Sequence, residues 1–320
     1  MNKVIRLSIC IPTRNQPKRL EATISSILDQ LNPESEVIIL DDSASIDVNY
    51  SNPSISIAHI KGAQKGVDPA IFQLASKAKG EFIWFLGDDI ILEGGICKAL
   101  NMISKNPTID FYWLNAVQND RYIPTTELNL EVYKNKDCFI TKLGDQLGFL
   151  SCLLIRKSTI QLGMEEDKKY FGTQWISIYF ALKSISNSTY LGLVRTPLIG
   201  TEKRYGPSHW YDVMQVFGVN LPKIYRHFIY TKTFSKNAIN RIIRSNLISL
   251  IKTIFVGKAT NSNLQYWKDK KYISILFKEH KYFFRFYFLL PILLIPPQIC
   301  KPLYFLIKRS GYQTPVRFEV

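Results

Sequence analysis

The sequence has few of the residues that build a disulfide framework or a zinc site. Its five cysteines are odd in number and scattered over 320 residues, and no two of them have CxxC spacing. This usage is typical of a reducing cytoplasm and argues against both kinds of site. We also expect no N-terminal signal sequence, because Pro12 and Arg14 interrupt the first apolar run.

Acidic residues are scarce in the last hundred positions. Residues 1–220 hold 23 Lys and Arg against 23 Asp and Glu, whereas residues 221–320 hold 18 against three. The C-terminal region therefore carries the whole net charge of +15. A neutral body with a basic tail favours an anionic partner surface, which is either a membrane or a nucleic acid.

The tail also lacks an unbroken apolar run of the length that crosses a bilayer. Segment 283–310 is the most hydrophobic part of the chain, but Pro291, Pro296 and Pro297 interrupt it, and a spanning helix needs about 20 apolar residues. Its aromatic residues and flanking cations suit the headgroup zone, so we interpret it as a re-entrant or interfacial element. The alternative is a buried C-terminal helix. Nucleic acid is not expected, because surfaces that contact phosphates are less apolar.

Strand-like and helix-like patterns alternate through the first 110 residues. Apolar runs predict strands at 6–12, 36–42, 54–60 and 81–89, and apolar stripes predict helices at 17–31 and 68–78. This alternation predicts an α/β fold with right-handed crossovers and a mostly parallel sheet flanked by helices. Later patterns predict strands at 111–117 and 149–160, and helices at 173–185 and 237–257.

Polar clusters follow three of the predicted strands. They are Thr13-Arg14-Asn15, Asp41-Asp42-Ser43 and Gly87-Asp88-Asp89. Each cluster alone could be an ordinary turn, but ligands of such sheets bind beyond the carboxyl ends of the strands, so three clusters predict a site.

The adjacent carboxylates Asp88 and Asp89 pose a separate question of chemistry. Neighbours in an extended segment point to opposite faces, so these two would not share a proton as an acid/base pair. They could be solvated turn residues. Alternatively, one binds Mg²⁺ or Mn²⁺ while the other meets a sugar or phosphate, since these cations often rest on one or two carboxylates plus substrate phosphates.

Four segments, at 7–28, 36–45, 65–89 and 171–182, resemble family 2 glycosyltransferases of the GT-A fold in their order and spacing. The resemblance is to bacterial O-antigen and capsule transferases of the abequosyltransferase type. It covers residues 5–215 and implies a catalytic domain at 1–215, with a nucleotide-sugar half at about 1–110 and an acceptor half at about 111–215. A basic, helical, membrane-associating region would follow at 216–320.

The resemblance also implies roles for individual residues. It implies a nucleotide-sugar donor held at the base and ribose by Pro12, Thr13, Arg14, Asp41 and Asp42. Gly66 and Asp68 would open the helix that borders the nucleotide. Asp88 would face the donor sugar or ribose, and Asp89 would bind Mg²⁺ or Mn²⁺ on the donor diphosphate. A late loop with Arg204 and His209 would contact the diphosphate or the metal.

Two positions depart from the family pattern. Gly87 stands where the family has an acidic residue, and Thr173-Gln174 stands where it has an acidic pair that includes the general base. Gln174 occupies the catalytic position but cannot accept a proton, so we name Asp167, just upstream, as the candidate base.

The resemblance implies a peripheral enzyme on the cytoplasmic face of the bacterial inner membrane. Its acceptor would be a polyprenyl-diphosphate-linked glycan of surface polysaccharide synthesis. One alternative is a nucleotidyltransferase, although the first strand lacks the Gly-rich loop that this class needs. The other is a non-catalytic membrane or nucleic-acid binding module, which Gln174 favours.

Overall fold

The computed structural model describes residues 4–43, 57–62, 65–118, 125, 127–162, 165–201, 212–260 and 271–309. The chain forms two compact units, Met1–Glu202 and Lys203–Val320. The assignment of residues 1–215 as the catalytic domain stays a prediction.

The N-terminal unit is built on a nine-stranded sheet. Its strands are β1 (Leu7–Thr13), β2 (Ser35–Asp41), β3 (Ile57–Lys61), β4 (Phe82–Phe85), β5 (Ile90–Ile91), β6 (Ile109–Gln118), β7 (Leu130–Tyr133), β8 (Leu153–Arg156) and β9 (Tyr190–Thr201). Its helices are α1 (Pro17–Leu28), α2 (Val67–Lys77), α3 (Gly95–Lys105), α4 (Lys136–Leu143), α5 (Lys157–Ile160), α6 (Glu165–Lys168) and α7 (Ile176–Asn187). Two 3₁₀ turns, Gly144–Gly148 and Leu150–Cys152, precede β8.

The sheet is mixed, with the order β3-β2-β1-β4-β8-β6-β9-β5, and β7 pairs with β9. The first four strands are parallel, as predicted. Strand β8 then runs antiparallel to both β4 and β6, and β9 is parallel to β6 but antiparallel to β5 and β7. The prediction of a mostly parallel sheet is therefore correct for one half only.

Burial explains why the first strands could be predicted from the sequence. Every residue of β2 is buried, and so are Leu7–Ile11 of β1, as expected for strands covered on both faces. Helix α1 begins at Pro17. Proline is tolerated in the first turn, because an N–H group at that position would have no acceptor within the helix. It turns Leu20, Ile24 and Ile27 toward the core.

Two predicted elements have different boundaries. The run predicted as a strand at 149–160 divides into a 3₁₀ turn, the four-residue β8 and the short helix α5. The helix predicted at 173–185 begins only at Ile176, because Gly172 and Gln174 have positive φ angles of 83° and 63°. Those values belong to the left-handed region, which a right-handed helix cannot include.

The C-terminal unit is helical. It contains a π-helical segment (Met214–Asn220), α8 (Leu221–Tyr230), α9 (Lys236–Thr260), α10 (Lys271–His280), α11 (Phe284–Leu294) and α12 (Pro297–Arg309). Helix α9 confirms the helix predicted at 237–257, and its apolar face, which includes Ile243, Leu247 and Leu250, is buried.

The apolar tail forms a bent pair of helices. No single helix in the described part of the chain has the length and apolar character to cross a membrane. The segments Phe286–Leu294 and Pro297–Ile307 pass that test only when taken together, and they are bent by 111° at the break between them.

Candidate functional site

The ends of β1 and β2 form one hydrogen-bonded rim. Thr13 lies opposite Asp41 in the register, and the N–H of Asp42 donates to the carbonyl of Thr13 at 2.8 Å. Asp41 Oδ1 accepts from the N–H of Ser43 at 2.9 Å and from its hydroxyl. Ser43 Oγ in turn accepts from the N–H of Asn15 at 2.7 Å. The first two predicted polar clusters therefore meet at one edge of the sheet.

The other predicted residues of the β1 turn stand at the same edge. Pro12 and Thr13 are half-buried at the end of β1, and Arg14 is exposed. A guanidinium in this position is accessible to an anionic ligand.

Two glycines bring the start of α2 against the end of β2. The N–H of Gly66, at the N-cap of α2, donates to Asp42 Oδ2 at 2.9 Å, and its φ of 93° is strained for any other residue. A Cβ on Gly62 would lie 2.5 Å from Asp42 Oδ1. The Asp42 carboxylate thus fixes the entry to the helix predicted to border the nucleotide.

The third cluster follows β4, the strand on the other side of β1. Asp88 forms an ion pair with Arg19 of α1, and both side chains are half-buried. Asp89 is only 4% exposed. Its Oδ2 accepts from the hydroxyl of Ser151 at 2.6 Å, and its carbonyl accepts from Thr23 Oγ1 at 2.9 Å. The adjacent carboxylates therefore have separate partners, as their alternation predicts.

Ser151 and Arg19 are residues of this site that sequence reasoning missed. Ser151 is fully buried, and besides donating to Asp89 it accepts from the N–H of Gly87 at 3.0 Å. Its carbonyl accepts from Trp84 Nε1 at 2.8 Å. A single hydroxyl in the apolar run "FLSCLL" was the available signal. Arg19 lies in "PKRL", a segment that reads as an ordinary basic first turn of a helix.

Asp68 has a structural task that its position at the start of α2 does not reveal. Its Oδ2 accepts from the N–H of Gln174 at 2.7 Å, and its Oδ1 accepts from the N–H of Ile176 at 3.1 Å. Burial raises the pKa of this carboxyl, and the backbone N–H groups at 172–176 oppose the rise. Asp68 therefore caps the start of α7, and its predicted contact with the donor stays a prediction.

Gln174 projects from a strained turn. Its φ is 63°, its side chain is exposed, and its backbone is held by Asp68. The neighbouring Trp175 packs so closely on Gly148 that a Cβ there would collide with the indole. Strain of this kind persists only where the surroundings enforce it, and it is concentrated at functional sites.

Asp167, the candidate general base, lies in the interior of the N-terminal unit. The side chain is 0% exposed, and Oδ1 accepts from Lys183 Nζ at 2.7 Å. Burial, followed by the nearby Asp167 charge, raises the pKa of Tyr179 beside it. A base has to come within hydrogen-bond distance of the acceptor hydroxyl, and the role of Asp167 as that base stays a prediction.

Known proteins resemble the chain in sequence and in fold. The sequence profile described as Glycosyl transferase family 2 matches residues 8–160, which extend from the second residue of β1 through β8 and include all three polar clusters. Just under half of the chain therefore resembles glycosyl transferase family 2. Gly87, the first of the two departures from the family pattern, lies inside the matched region.

Two curated glycosyltransferases are similar to parts of the chain. Abequosyltransferase RfbV of Salmonella typhimurium is 24% identical over 212 residues, which is 57% of this chain and 61% of that protein. An uncharacterized glycosyltransferase of Haemophilus influenzae is 30% identical over 112 residues, 33% of this chain and 37% of that protein. The chain therefore spans less than two thirds of the length of either.

Solved structures show the same fold. Staphylococcus aureus TarS 1-349 in complex with UDP-GlcNAc superposes with a TM-score of 0.61 at 15% identity, covering 97% of this chain and 93% of that one. Its complex with UDP gives a TM-score of 0.57 at 13% identity. At these identities the likeness establishes the GT-A-like fold.

A metal at this site would have few protein ligands. Within the described residues, no group of three or more His, Cys, Asp and Glu side chains is placed to hold an ion. Arg204 and His209, predicted to contact the diphosphate or the metal, lie outside the described residues.

Proposed function

We propose that the chain is a metal-assisted glycosyltransferase that moves a sugar from a nucleoside-diphosphate donor to a lipid-linked oligosaccharide in surface polysaccharide synthesis. The observation that carries the proposal is the meeting of the β1, β2 and β4 ends at one sheet edge, inside the region that matches the family 2 profile. The names of the relatives support the donor class, since one is an abequosyltransferase and TarS is bound to UDP-GlcNAc.

The rim formed by Asp41 and Asp42 would bind the nucleoside part of the donor. Carboxylates accept hydrogen bonds, so they suit ribose hydroxyls and base N–H groups but not phosphates. The exposed Arg14 would supply a positive charge on the same edge. The carboxylates would then contact the uncharged nucleoside, and the guanidinium of Arg14 would lie near the diphosphate.

Asp89 would hold Mg²⁺ or Mn²⁺, with Ser151 fixing its orientation. These cations bind through one or two carboxylates plus substrate phosphates, and one buried carboxylate at the sheet edge fits that mode. When bound, the metal would stabilise the charge on the leaving nucleoside diphosphate as a Lewis acid. Asp88 would face the donor sugar or ribose from its pair with Arg19, and His209 stays a predicted second ligand.

Gln174 would position the acceptor. Its amide can donate and accept hydrogen bonds but cannot take up a proton, so its proposed task is to orient the acceptor hydroxyl. Its backbone is already held in a strained conformation by Asp68, which fixes the place from which the side chain projects.

We also propose that the protein acts on the cytoplasmic face of the inner membrane. Several large apolar side chains of α11 and α12 are exposed, and the C-terminal region has 18 basic residues against three acidic ones. An aromatic and basic surface suits the interface of an anionic leaflet. A polyprenyl-diphosphate-linked acceptor would be anchored in that leaflet.

The test follows nucleoside diphosphate release from a panel of nucleotide sugars with Mg²⁺ or Mn²⁺. We expect Asp89→Asn to lose more than about 100-fold, because loss of a metal ligand should exceed the 10–100-fold effect of an outer-shell change. Asp29→Asn, an exposed carboxylate at the end of α1, serves as the matched control. Equal activity of the two variants would contradict the metal role. Donor binding without turnover would favour the non-catalytic module that Gln174 suggests, and pyrophosphate release from a nucleoside triphosphate would favour a nucleotidyltransferase.

A further inference from the structure

A buried ammonium group lies at the bend between α11 and α12. Lys258 of α9 is 6% exposed, and its Nζ donates to the carbonyls of Leu293 at 2.5 Å and Ile295 at 3.1 Å. These carbonyls end α11, where the helix dipole is negative. Tyr272 donates to the Leu293 carbonyl at 2.9 Å, and its ring centre lies 5.7 Å from Nζ. The bend is therefore organised around one positive charge.

A cavity of about 400 Å³ opens beside this charge. It is lined by Lys258, Ala259, Thr260, Pro297, Lys301 and Phe305. Pro297 begins α12, so the positive end of that helix dipole also faces this region. An ammonium group has three N–H donors, and two of those on Lys258 are used by the carbonyls of α11. No further acceptor contacts Nζ among the residues that the structure describes.

Among the described residues, the cavity is lined by two lysines and no carboxylate. Within the described part of the C-terminal unit, the acidic residues are Asp212 and Glu279. Asp212 accepts from the N–H groups of Met214 at 2.8 Å and Gln215 at 3.1 Å. Glu279 pairs with Arg226 at 2.7 Å. Both carboxylates have partners of their own, so the described residues supply no counter-ion to the cavity.

The surroundings of the cavity are apolar and exposed to solvent. Phe305 belongs to the lining, and it is 52% exposed. Leu294, next to the Leu293 whose carbonyl accepts from Lys258, is 62% exposed. Free phosphate would gain nothing from such a surface, whereas a lipid could place its chains there. Two lysines with adjacent apolar side chains are thus matched to an amphiphilic anion.

We propose that the cavity at the bend between α11 and α12 binds the phosphate group of a membrane lipid, through Lys258 and Lys301. The inference rests on the proposed membrane association, which it makes specific: one lipid phosphate is bound at one defined place, in addition to the general attraction between a basic surface and an anionic leaflet. Phe305 and Leu294 contact the lipid chains.

The experiment titrates the full-length protein with dihexanoyl phosphatidylglycerol below its micelle concentration, followed by ³¹P NMR. We expect saturable binding that weakens at least about tenfold in Lys301→Gln, because this site should exceed the roughly fivefold contribution of one general surface cation. Lys252→Gln is the matched control: it is an exposed lysine of the same helix α9 that does not line the cavity. The affinity of this control for the lipid should lie within about twofold of wild type. A lipid monomer has no extended anionic surface that a lysine outside the cavity could contact. Equal losses in the two variants would overturn the proposal.

Two further ligands test whether binding needs both the phosphate group and the acyl chains. Dihexanoylglycerol, which has the chains without phosphate, and inorganic phosphate, which lacks the chains, should each bind at least about tenfold more weakly than the phospholipid. Inorganic phosphate binding as tightly as the phospholipid would overturn the lipid assignment.

Lys258→Met tests the buried lysine, with circular dichroism as the check on folding. If that variant fails to fold, Lys301→Gln still decides the matter, because Lys301 is exposed. Nucleoside diphosphate release is measured on the same Lys301→Gln protein with the donor alone. We expect that release to equal wild type, so loss of lipid binding is distinguished from failure of the proposed transferase activity.

Discussion

The hydrogen bond between Ser151 and Asp89 provides a sharp test of how the site is built. Replacing Ser151 by Ala removes the donor to Asp89 Oδ2 and the acceptor for the N–H of Gly87. A hydrogen bond to a charged group contributes about 1.5–3 kcal/mol to folding. Gly87 is half-buried, so water can replace its lost partner at little cost. We therefore expect Ser151→Ala to lower the free energy of unfolding by about 2 kcal/mol.

In the N-terminal unit of 202 residues, that loss corresponds to a Tm lower by about 4–8 °C. The metal-dependent rate should fall by about 10–100-fold, the usual effect of removing a group that orients a metal ligand. Calorimetry and nucleoside diphosphate release at varied Mn²⁺ concentration measure the two effects. Ser76→Ala, an exposed serine of α2, is the control and should change stability by less than about 0.5 kcal/mol.

A double variant isolates the interaction itself. In an Asp89→Asn background the acceptor is neutral, so Ser151→Ala should cost only about 1 kcal/mol. The difference between the two backgrounds is the coupling between the hydroxyl and the charge. If Ser151→Ala matched Ser76→Ala in stability and in metal dependence, the assignment of Ser151 to the site would be refuted.

Three other predictions concern residues in both units. Arg19→Gln should change stability by less than about 1 kcal/mol, as ion pairs that solvent reaches do, but raise the KM for the donor because Asp88 loses its ion pair with Arg19; an unchanged KM would contradict this. Burial, then the nearby Arg226, lowers the pKa of His280 to about 4, so the unfolded chain binds the proton first as pH falls below about 6.5. Stability should drop by up to about 3 kcal/mol between pH 6.5 and 4, and denaturant unfolding of His280→Phe should show a flatter profile. Phe288→Ser, at a residue 67% exposed, should weaken vesicle binding by at least about tenfold, whereas Tyr230→Ser, at a residue 81% exposed on α8, should not.

The parts of the fold that the sequence predicted are local or continuously apolar. Strands β1, β2 and β4 are buried runs, and α1 and α2 have apolar stripes, so their type follows from nearby residues. Parallel pairing then places their carboxyl ends on one edge. The antiparallel insertion of β8 between β4 and β6 could not be predicted in this way, because it depends on pairing between distant segments.

The same distinction applies to the site. Asp41, Asp42, Asp88 and Asp89 stand at strand ends and could be found from the chain alone. Ser151 reaches Asp89 across 62 positions, a contact that no local pattern signals.

Charge patterns were equally unable to reveal two buried carboxylates. Asp167 lies in the acidic run "EED", which looks solvated, yet Lys183 sixteen positions later pairs with it in the interior. Asp68 has the sequence position of a first-turn acid, but its oxygens cap another helix more than a hundred residues away. In both cases the tertiary partner decides the role, and the partner is invisible to local reading.

The most direct test of the central claim is the effect of Mn²⁺ on nucleoside diphosphate binding, measured by calorimetry for wild type and Asp89→Asn. We expect Mn²⁺ to tighten binding to wild type by at least about tenfold, since the metal would join the phosphates to Asp89, and to have no such effect on Asp89→Asn. Both proteins should bind the nucleoside diphosphate alike without the metal. Equal tightening by Mn²⁺ in both proteins would contradict the assignment of Asp89 as the metal ligand.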